Sequence, residues 1–271
     1  MPAITTEPPI ASDDPVLDHL TDDDRTSVLD ALRRHTEPMR IAVVGRERTG
    51  RDTVARAVRE RFHVSPIGPG DDDAGDADAW IYVLVSGVRQ EDREAISRLP
   101  ADRTVVVLSK ADTLGSWEEA RAVARRCEAV VRRPVLALMP LLATALLRDD
   151  EFFFLRSLAA EGEQMPSMAG EFLTGGSDER AVRTRLLRRL DQFGIDLALT
   201  VLASAPEVDA TRLAELLRGV SGIDELAELL SGLEEPVLAL REDRLRRTLD
   251  RIAATDTGAR EAIEELLAEW S

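Results

Sequence analysis

With 271 residues, 44% of them hydrophobic, the chain can bury the core of one large domain or two small ones. A formal net charge of −16 and a pI near 4.7 argue against a binder of nucleic-acid backbones or of anionic lipid, so no nucleic acid is expected and membrane association is at most indirect. One cysteine, Cys127, rules out an internal disulfide, and with only three histidines a His/Cys metal site has no basis.

In chain order, residues 1–14 are rich in Pro, Thr and Asp and read as disordered. They lack a basic start followed by an apolar stretch, so no signal peptide is expected and the cytoplasm is the default compartment. Thr21-Asp22-Asp23-Asp24 opens a helix with Val28, Leu29 and Leu32 on one face, and Pro38 ends it. Residues 40–44 form a short β-run into Gly45, followed by a helix over 51–62. Strands are expected at 81–85, 104–108 and 134–138, with helices at 89–99 and 117–131 between them. Strands of continuous aliphatics alternating with helices indicate a parallel sheet covered on both faces. The setting of Cys127 in a helix with apolar flanks predicts a buried structural thiol. After Leu141 the strand signals stop. Helical periodicity runs from there to Trp270, with breaks at 161–177, at 205–206 and at Pro236. The expected division is a disordered 1–14, an α/β domain with its N-terminal helix over 15–145, and an all-α helical bundle over 146–271. The longest apolar runs, 135–147 and 195–205, are too short to span a bilayer.

The segment Gly45-Arg46-Glu47-Arg48-Thr49-Gly50-Arg51-Asp52-Thr53 has the outline of a phosphate-binding loop. A strand enters, two glycines stand five apart and a helix leaves. In such a loop, backbone N–H groups and the helix N-terminus cradle phosphates, a lysine reaches the β- and γ-phosphates, and a Ser or Thr hydroxyl binds Mg²⁺. Here the lysine position is Arg51, which keeps the charge but is bulkier and planar. The hydroxyl position is Asp52, whose carboxylate would repel phosphate. A carboxylate is also favoured at a helix start, so Asp52 could cap the loop from within. Thr53 could serve Mg²⁺ only with its hydroxyl displaced by one residue.

Between the helix at 51–62 and the next strong strand there is no threonine to sense a γ-phosphate. Asp72-Asp73-Ala74-Gly75 matches Asp-x-x-Gly, but it lies within the acidic run 71–78 and no apolar strand feeds it. It reads as a solvated acidic loop, and no catalytic residue is assigned.

The only lysine of the chain, Lys110, stands in Val107-Leu108-Ser109-Lys110-Ala111-Asp112. Every other basic side chain at ordinary pH is arginine, so lysine here points to a role that arginine cannot fill. An apolar strand ending in Ser-Lys-x-Asp looks like the guanine-reading motif of GTPases. There the lysine stem lies along the base and the aspartate accepts hydrogen bonds from the guanine edge. Further on, residues 180–203 and 210–230 place apolar side chains at three- and four-residue spacing, as at Leu213, Leu216 and Leu217, and Leu240, Leu245 and Leu249 continue the pattern. These read as a packed bundle with charged outer faces, or as a bundle that also buries a face against a partner. Phe152-Phe153-Phe154 reads as core at a domain junction, and Trp270 docks on the bundle or on a partner.

Together these residues resemble bacterial, especially actinobacterial, dynamin-like GTPases, and the resemblance spans most of the chain. The Arg-over-Lys and Ala/Asp-rich usage also fits a high-GC bacterium. The phosphate loop of that family follows a short helix and a proline, then reads as an aliphatic strand and Gly-Arg-x-x-x-Gly-Lys-Ser-Thr. Residues 38–53 follow this outline, with Arg51 and Asp52 replacing Lys and Ser. Residues 78–84 look like the strand after the second switch. Ser109-Lys110-Ala111-Asp112 looks like the guanine motif, with serine where Asn or Thr is usual. Residues 134–143 resemble the last strand and base-capping loop, and Phe193-Gly194-Ile195 and residues 217–226 resemble segments of the helical region.

The resemblance implies a P-loop GTPase-like α/β domain with a shortened switch region, followed by helices. If nucleotide binding is retained, it falls to Gly45, Gly50, Arg51, Asp52, Thr53, Ser109, Lys110 and Asp112, with GTP or GDP and Mg²⁺ as the implied ligands. The changed phosphate loop and missing switches make the chain a degenerate member. No hydrophobic paddle tip or basic lipid patch is visible, so membrane remodelling is not expected. The first expectation is a pseudo-GTPase scaffold or regulatory partner of an active dynamin-like GTPase. After it come a nucleotide-binding sensor without hydrolysis, then an atypical GTPase. Oligomeric state and pathway are left open by the residues.

Overall fold

A computed structural model describes residues 10–64, 66, 67, 76–114, 116–256, 258 and 260–269. Residues 1–9, the Asp72-x-x-Gly75 match with most of its acidic run, and Trp270 lie outside the described residues. The chain divides into two compact units, one of Ile41–Leu230 and one of Met1–Arg40 with Ser231–Ser271. The first helix, α1 (Asp22–Thr36), belongs to the discontinuous unit.

The larger unit is built on four parallel strands in the order β1-β2-β3-β4. They are β1 (Ile41–Gly45), β2 (Ala79–Val85), β3 (Thr104–Ser109) and β4 (Val135–Ala137). Val43 pairs with Ile81, Tyr82 with Val106 and Val107 with Leu136. All of β3 is buried, as expected for a strand with neighbours on each side and helices above and below. Between the strands run α2 (Arg51–Phe62), α3 (Gln90–Arg98) and α4 (Trp117–Val131). Ser116 starts α4 by accepting a hydrogen bond from Glu119 N at 3.1 Å. Cys127 is buried on the inner face of α4, and burial pushes its thiol pKa up. Beyond β1, among the described residues, the sheet is extended by a parallel bridge of Ala42 with Ile67, made by Val43 N to Ile67 O and Ile67 N to Ile41 O.

After β4 come α5 (Pro140–Ala143), α6 (Asp149–Ala160), α7 (Ser177–Ser204), α8 (Ala210–Gly219) and α9 (Ile223–Ser231). One apolar cluster joins Leu108 and Ala137 of the sheet to Phe152, Leu186, Leu190, Ala198 and Leu217 of these helices. The compact units therefore fall along a different line from the sequence division at 145, because the apolar faces of α6–α8 match the covering layer of the sheet. The break at 161–177 is stapled by Arg183. This buried guanidinium bonds Glu163 and Glu179 and lies 4.7 Å from the Phe172 ring centroid and 5.3 Å from that of Phe154. Phe152 and Phe154 pack as expected of the aromatic triplet, whereas Phe153 is exposed.

Two glycines set how the helices close on the sheet. At Gly194 in α7 a Cβ would stand 2.5 Å from Leu142 Cδ2. At Gly222, with φ +82°, a Cβ would stand 2.3 Å from the carbonyl oxygen of Ala137. That close approach lets Met139 N donate to Ser221 O at 2.8 Å, and it splits the periodic stretch 210–230 into α8 and α9.

The discontinuous unit holds α1, α10 (Glu234–Thr255) and α11 (Arg260–Glu269). Its core joins Ile10, Leu17, Val28 and Leu32 to Leu245, Leu249, Ile252 and Ile263. Ile10 is buried, so the stretch expected to be disordered is anchored from that residue onward. Its apolar side chain gains more from burial than the ordering of one residue costs. Pro236, expected as a break, is the third residue of α10, where a missing N–H removes no intrahelical bond. Arg241 reaches from α10 to the C-terminal end of α1, donating to the carbonyls of His35 at 3.1 Å, Glu37 at 2.7 Å and Pro38 at 3.2 Å. The His35 ring is buried, with neither nitrogen hydrogen-bonded among the described residues.

Gly222→Ala should destabilise the larger unit more than Gly194→Ala. The first meets backbone at positive φ, the second the tip of Leu142 and the Cβ of Leu190 in ordinary helical backbone, for which overpacking costs about 1–3 kcal/mol. Urea unfolding of both variants checks the order. His35 has its pKa lowered below 6.5, chiefly by burial, with Glu242 opposing and Arg241 adding to the shift. Below 6.5 the unfolded chain takes up a proton that the folded ring resists, so this contribution to stability is lost as pH falls. His35→Phe should flatten the pH dependence of thermal unfolding below that value; an unchanged slope would count against it.

Candidate functional site

The C-terminal ends of β1 and β3 carry the two segments marked in the sequence. After β1 the chain turns through Gly45 at φ +147°, Arg48 at φ +63° and Gly50 at φ +91° before entering α2. A Cβ at Gly45 would lie 2.6 Å from the carbonyl oxygen of Val83 on the neighbouring strand. Gly45 is therefore required by close packing of the loop on β2. Thr49 is buried, and its hydroxyl donates to Arg46 O at 2.8 Å across the turn.

The guanine-motif segment meets this loop directly. A Cβ at Gly50 would lie 3.0 Å from Ser109 Oγ and 3.9 Å from Lys110 Cε. The lysine stem thus passes within van der Waals reach of Gly50, while the positive φ and the approach of Ser109 Oγ are what disfavour a side chain there. Lys110 has φ +57° and an exposed side chain, Ser109 is buried, and its Oγ has no hydrogen-bond partner among the described residues. Gly50 is therefore brought against Ser109 and Lys110, while Gly45 packs on Val83 of β2.

The charged positions differ from their expected roles. Arg51 Nη1 donates to the Gly45 carbonyl at 2.9 Å, so the guanidinium turns back on the loop's own backbone. Asp52 lies exposed in the first turn of α2, whose N-cap Gly50 receives no side-chain hydrogen bond. Asp52 thus stands where its charge meets the positive end of the α2 dipole, and Arg51 is the side chain that bonds back to the loop. Thr53 is half-buried in the same turn.

A second anchor was not read from the sequence. Arg46 Nε donates to Asp92 Oδ1 at 2.8 Å, and the same oxygen accepts from Tyr82 Oη at 2.9 Å. The other carboxylate oxygen accepts from Arg89 N at 2.8 Å, at the start of α3. Asp92 is completely buried, so its charge depends on these donors. Burial and the bond to Asp92 push the Tyr82 phenol pKa up. The result ties the loop residue after Gly45 to β2 and α3. Arg46 belongs to the Gly-Arg pair, but nothing in the spacing announces Asp92 as its partner.

Asp112 follows Lys110 in a single 3₁₀ turn, Ala111–Leu114, and is half-buried. It faces Asp191, where α7 is interrupted at φ +59° and ψ −177°. Such a conformation costs a non-glycine residue about 1–3 kcal/mol. Burial first, then the charge of Asp191 and a hydrogen bond to it, push the Asp112 pKa up to about 6; a backbone hydrogen bond and Lys110 pull the other way. Asp112 therefore holds its proton more readily than an isolated aspartate does in weak acid. Sequence periodicity gave no signal for Asp191, because it falls inside an otherwise regular helical run.

Chemically, the assembled site offers a glycine loop at a helix start, one lysine stem beside it and the Asp112 carboxyl group two residues beyond the lysine. Three clefts of the surface are lined by other residues. Among the described residues no group of three or more His, Cys, Asp or Glu could hold a metal ion, and no helix is long and apolar enough to cross a membrane. No protein-family model matches the sequence, and a search of curated proteins finds no match.

Because Asp112 binds its proton more tightly when folded, its charge costs stability fully above about pH 6, and that cost is relieved as pH falls toward 3.8. Asp191→Asn should lower the Asp112 pKa and reduce the loss of stability between the two values. The shift should narrow without vanishing, since burial is its first cause. Carbon NMR of the carboxyl groups during a pH titration checks this; an unmoved Asp112 midpoint would refute the pairing.

Proposed function

We propose that this chain is a pseudo-GTPase of the dynamin-like class, a G-fold scaffold that serves as regulatory partner to an active dynamin-like GTPase. The observation that carries the reading is the 2.9 Å hydrogen bond from Arg51 Nη1 to the Gly45 carbonyl. In a working phosphate loop the cation at this position reaches the β- and γ-phosphates. Here it is engaged by the loop itself, and the next position presents a carboxylate where Mg²⁺ would need a hydroxyl. A fold held in one state by Arg46–Asp92 and Arg51–Gly45 keeps its surfaces without needing a nucleotide to order them.

A second reading, a GTP- or GDP-binding sensor without efficient hydrolysis, is favoured by one specific feature. Lys110 still lies over Gly50, and Asp112 still follows it at the base-reading spacing. Guanine bound there would have to take Asp112 away from Asp191.

Calorimetric titration with GTP and GDP, with and without Mg²⁺, separates the two. The scaffold reading expects no heat up to millimolar nucleotide from protein shown by circular dichroism to be folded. A micromolar, Mg²⁺-dependent affinity that Asp112→Ala abolishes would overturn it in favour of the sensor.

A further inference from the structure

We propose that the arginine-lined cleft between α2, the segment after α5 and α7 is a docking site for an acidic segment of a protein partner, one that also carries an apolar anchor. The proposal rests on the partner half of the scaffold reading and names where and by what chemistry that partner binds.

The cleft has a volume of about 570 Å³. Arg56 and Glu60 of α2 line one side, Arg185, Arg188 and Arg189 of α7 line the other, and Leu146 lies between them. Two of its four guanidinium groups, Arg185 and Arg189, are matched by carboxylates behind the wall, whereas Arg56 and Arg188 leave the recess with an excess of positive charge over Glu60 in a chain of net charge −16. The recess is built rather than incidental. Glu151 of α6 is fully buried and accepts Arg148 N at 3.0 Å, which closes the start of its helix. Its two oxygens also face Arg189 Nε at 3.1 Å and Arg185 Nε at 3.4 Å. Arg185 pairs in addition with Asp150. One buried carboxylate thus forms ion pairs, without hydrogen bonds, with two guanidiniums a helical turn apart. Arg56 and Arg188 are exposed and have no ion pair among the described residues. Arginine suits this task because its planar fork meets carboxylates two bonds at a time.

The second half of the surface is apolar. Leu146 is 73% exposed, the most exposed of the large aliphatic side chains described. Through Glu60, Thr144 and Leu146 the arginine cleft adjoins another of about 330 Å³, lined in part by Ala143, Leu147, Ala210 and Ala214. Cations beside an exposed leucine and an alanine-walled recess fit an Asp/Glu-rich segment with leucine-like anchors. They fit a nucleic acid poorly. Its phosphates would extend past the cleft onto an acidic surface, and its backbone would leave Leu146 in water.

The test uses the full chain and a short fluorescein-labelled peptide of Asp and Glu around a Leu-x-x-Leu pair, read by fluorescence anisotropy. Binding is expected to weaken as salt rises. The double variant Arg56→Glu/Arg188→Glu should weaken it by about tenfold or more, as should Leu146→Asp. The matched control Arg121→Glu/Arg125→Glu, on α4, should leave it within about twofold, the range of contacts outside an interface. Circular dichroism establishes that each variant is folded. Equal affinity in the cleft variant and the control would overturn the proposal, as would tighter binding of a labelled single-stranded oligonucleotide than of the peptide. A folded protein that binds neither GTP nor this peptide loses the cleft assignment alone and retains the scaffold reading. One that binds peptide and also Mg·GTP retains the cleft and loses the empty-loop part of that reading.

Discussion

The position of every site residue depends on the burial of both faces of a four-stranded parallel sheet. β3 is buried along its whole length, so its backbone groups have no water to turn to and must pair with β2 and β4. Once they do, the C-terminal ends of β1 and β3 project from the same edge, and the glycine loop and Ser109-Lys110 become neighbours. The helices that follow are as necessary as the strands, because the sheet must be covered where β4 ends. Gly194 beneath Leu142 and Gly222 beneath Ala137 bring α7 and the α8–α9 turn into that position. The apolar core is accordingly continuous from Leu108 to Leu217.

The charges of the site are arranged to satisfy one another. Asp92 is buried and holds Arg46, Tyr82 and the start of α3. Arg51 is held by Gly45 O. A buried carboxylate with three donors is costly to disturb, since losing a donor leaves charge without compensation. This loop is ordered by its own side chains, in contrast to one that waits for a ligand. Asp112 is the exception. Its carboxyl faces another of the same sign, so it is a place of tension, and the broken helix at Asp191 adds backbone strain at the same point.

Arginine carries three different kinds of work in this molecule, each explained by its fixed fork of donors. Arg183 lies between two rings while bonding two glutamates, Arg241 gathers three carbonyls at the end of α1, and Arg185 and Arg189 share Glu151. Lysine could satisfy none of these geometries with a single compact ammonium. At residue 110 the opposite holds. There the exposed side chain runs past Gly50 at van der Waals distance and makes no planar, two-bond contact.

The local pattern alone determined much of this fold. Aliphatic runs at 81–85, 104–108 and 134–138 and the helix at 117–131 were legible because burial on two faces and a helical period leave unmistakable spacings. The same holds for Gly45 and Gly50, since a close turn admits no larger residue. Ser109 and Lys110 were legible as a strand end. What only the tertiary structure decided are the partners. Arg51 turning onto Gly45, Asp92 receiving Arg46, Asp191 interrupting α7 to face Asp112, and α6–α9 joining the sheet all depend on residues distant in sequence. Pro236 and Gly222 show the same limit from the other direction. A proline is harmless in a first helical turn, and a glycine breaks a helix only where a neighbouring carbonyl comes too close. Periodicity records which face of a segment avoids water, whereas the choice of which buried donor meets which acceptor is made by packing in three dimensions.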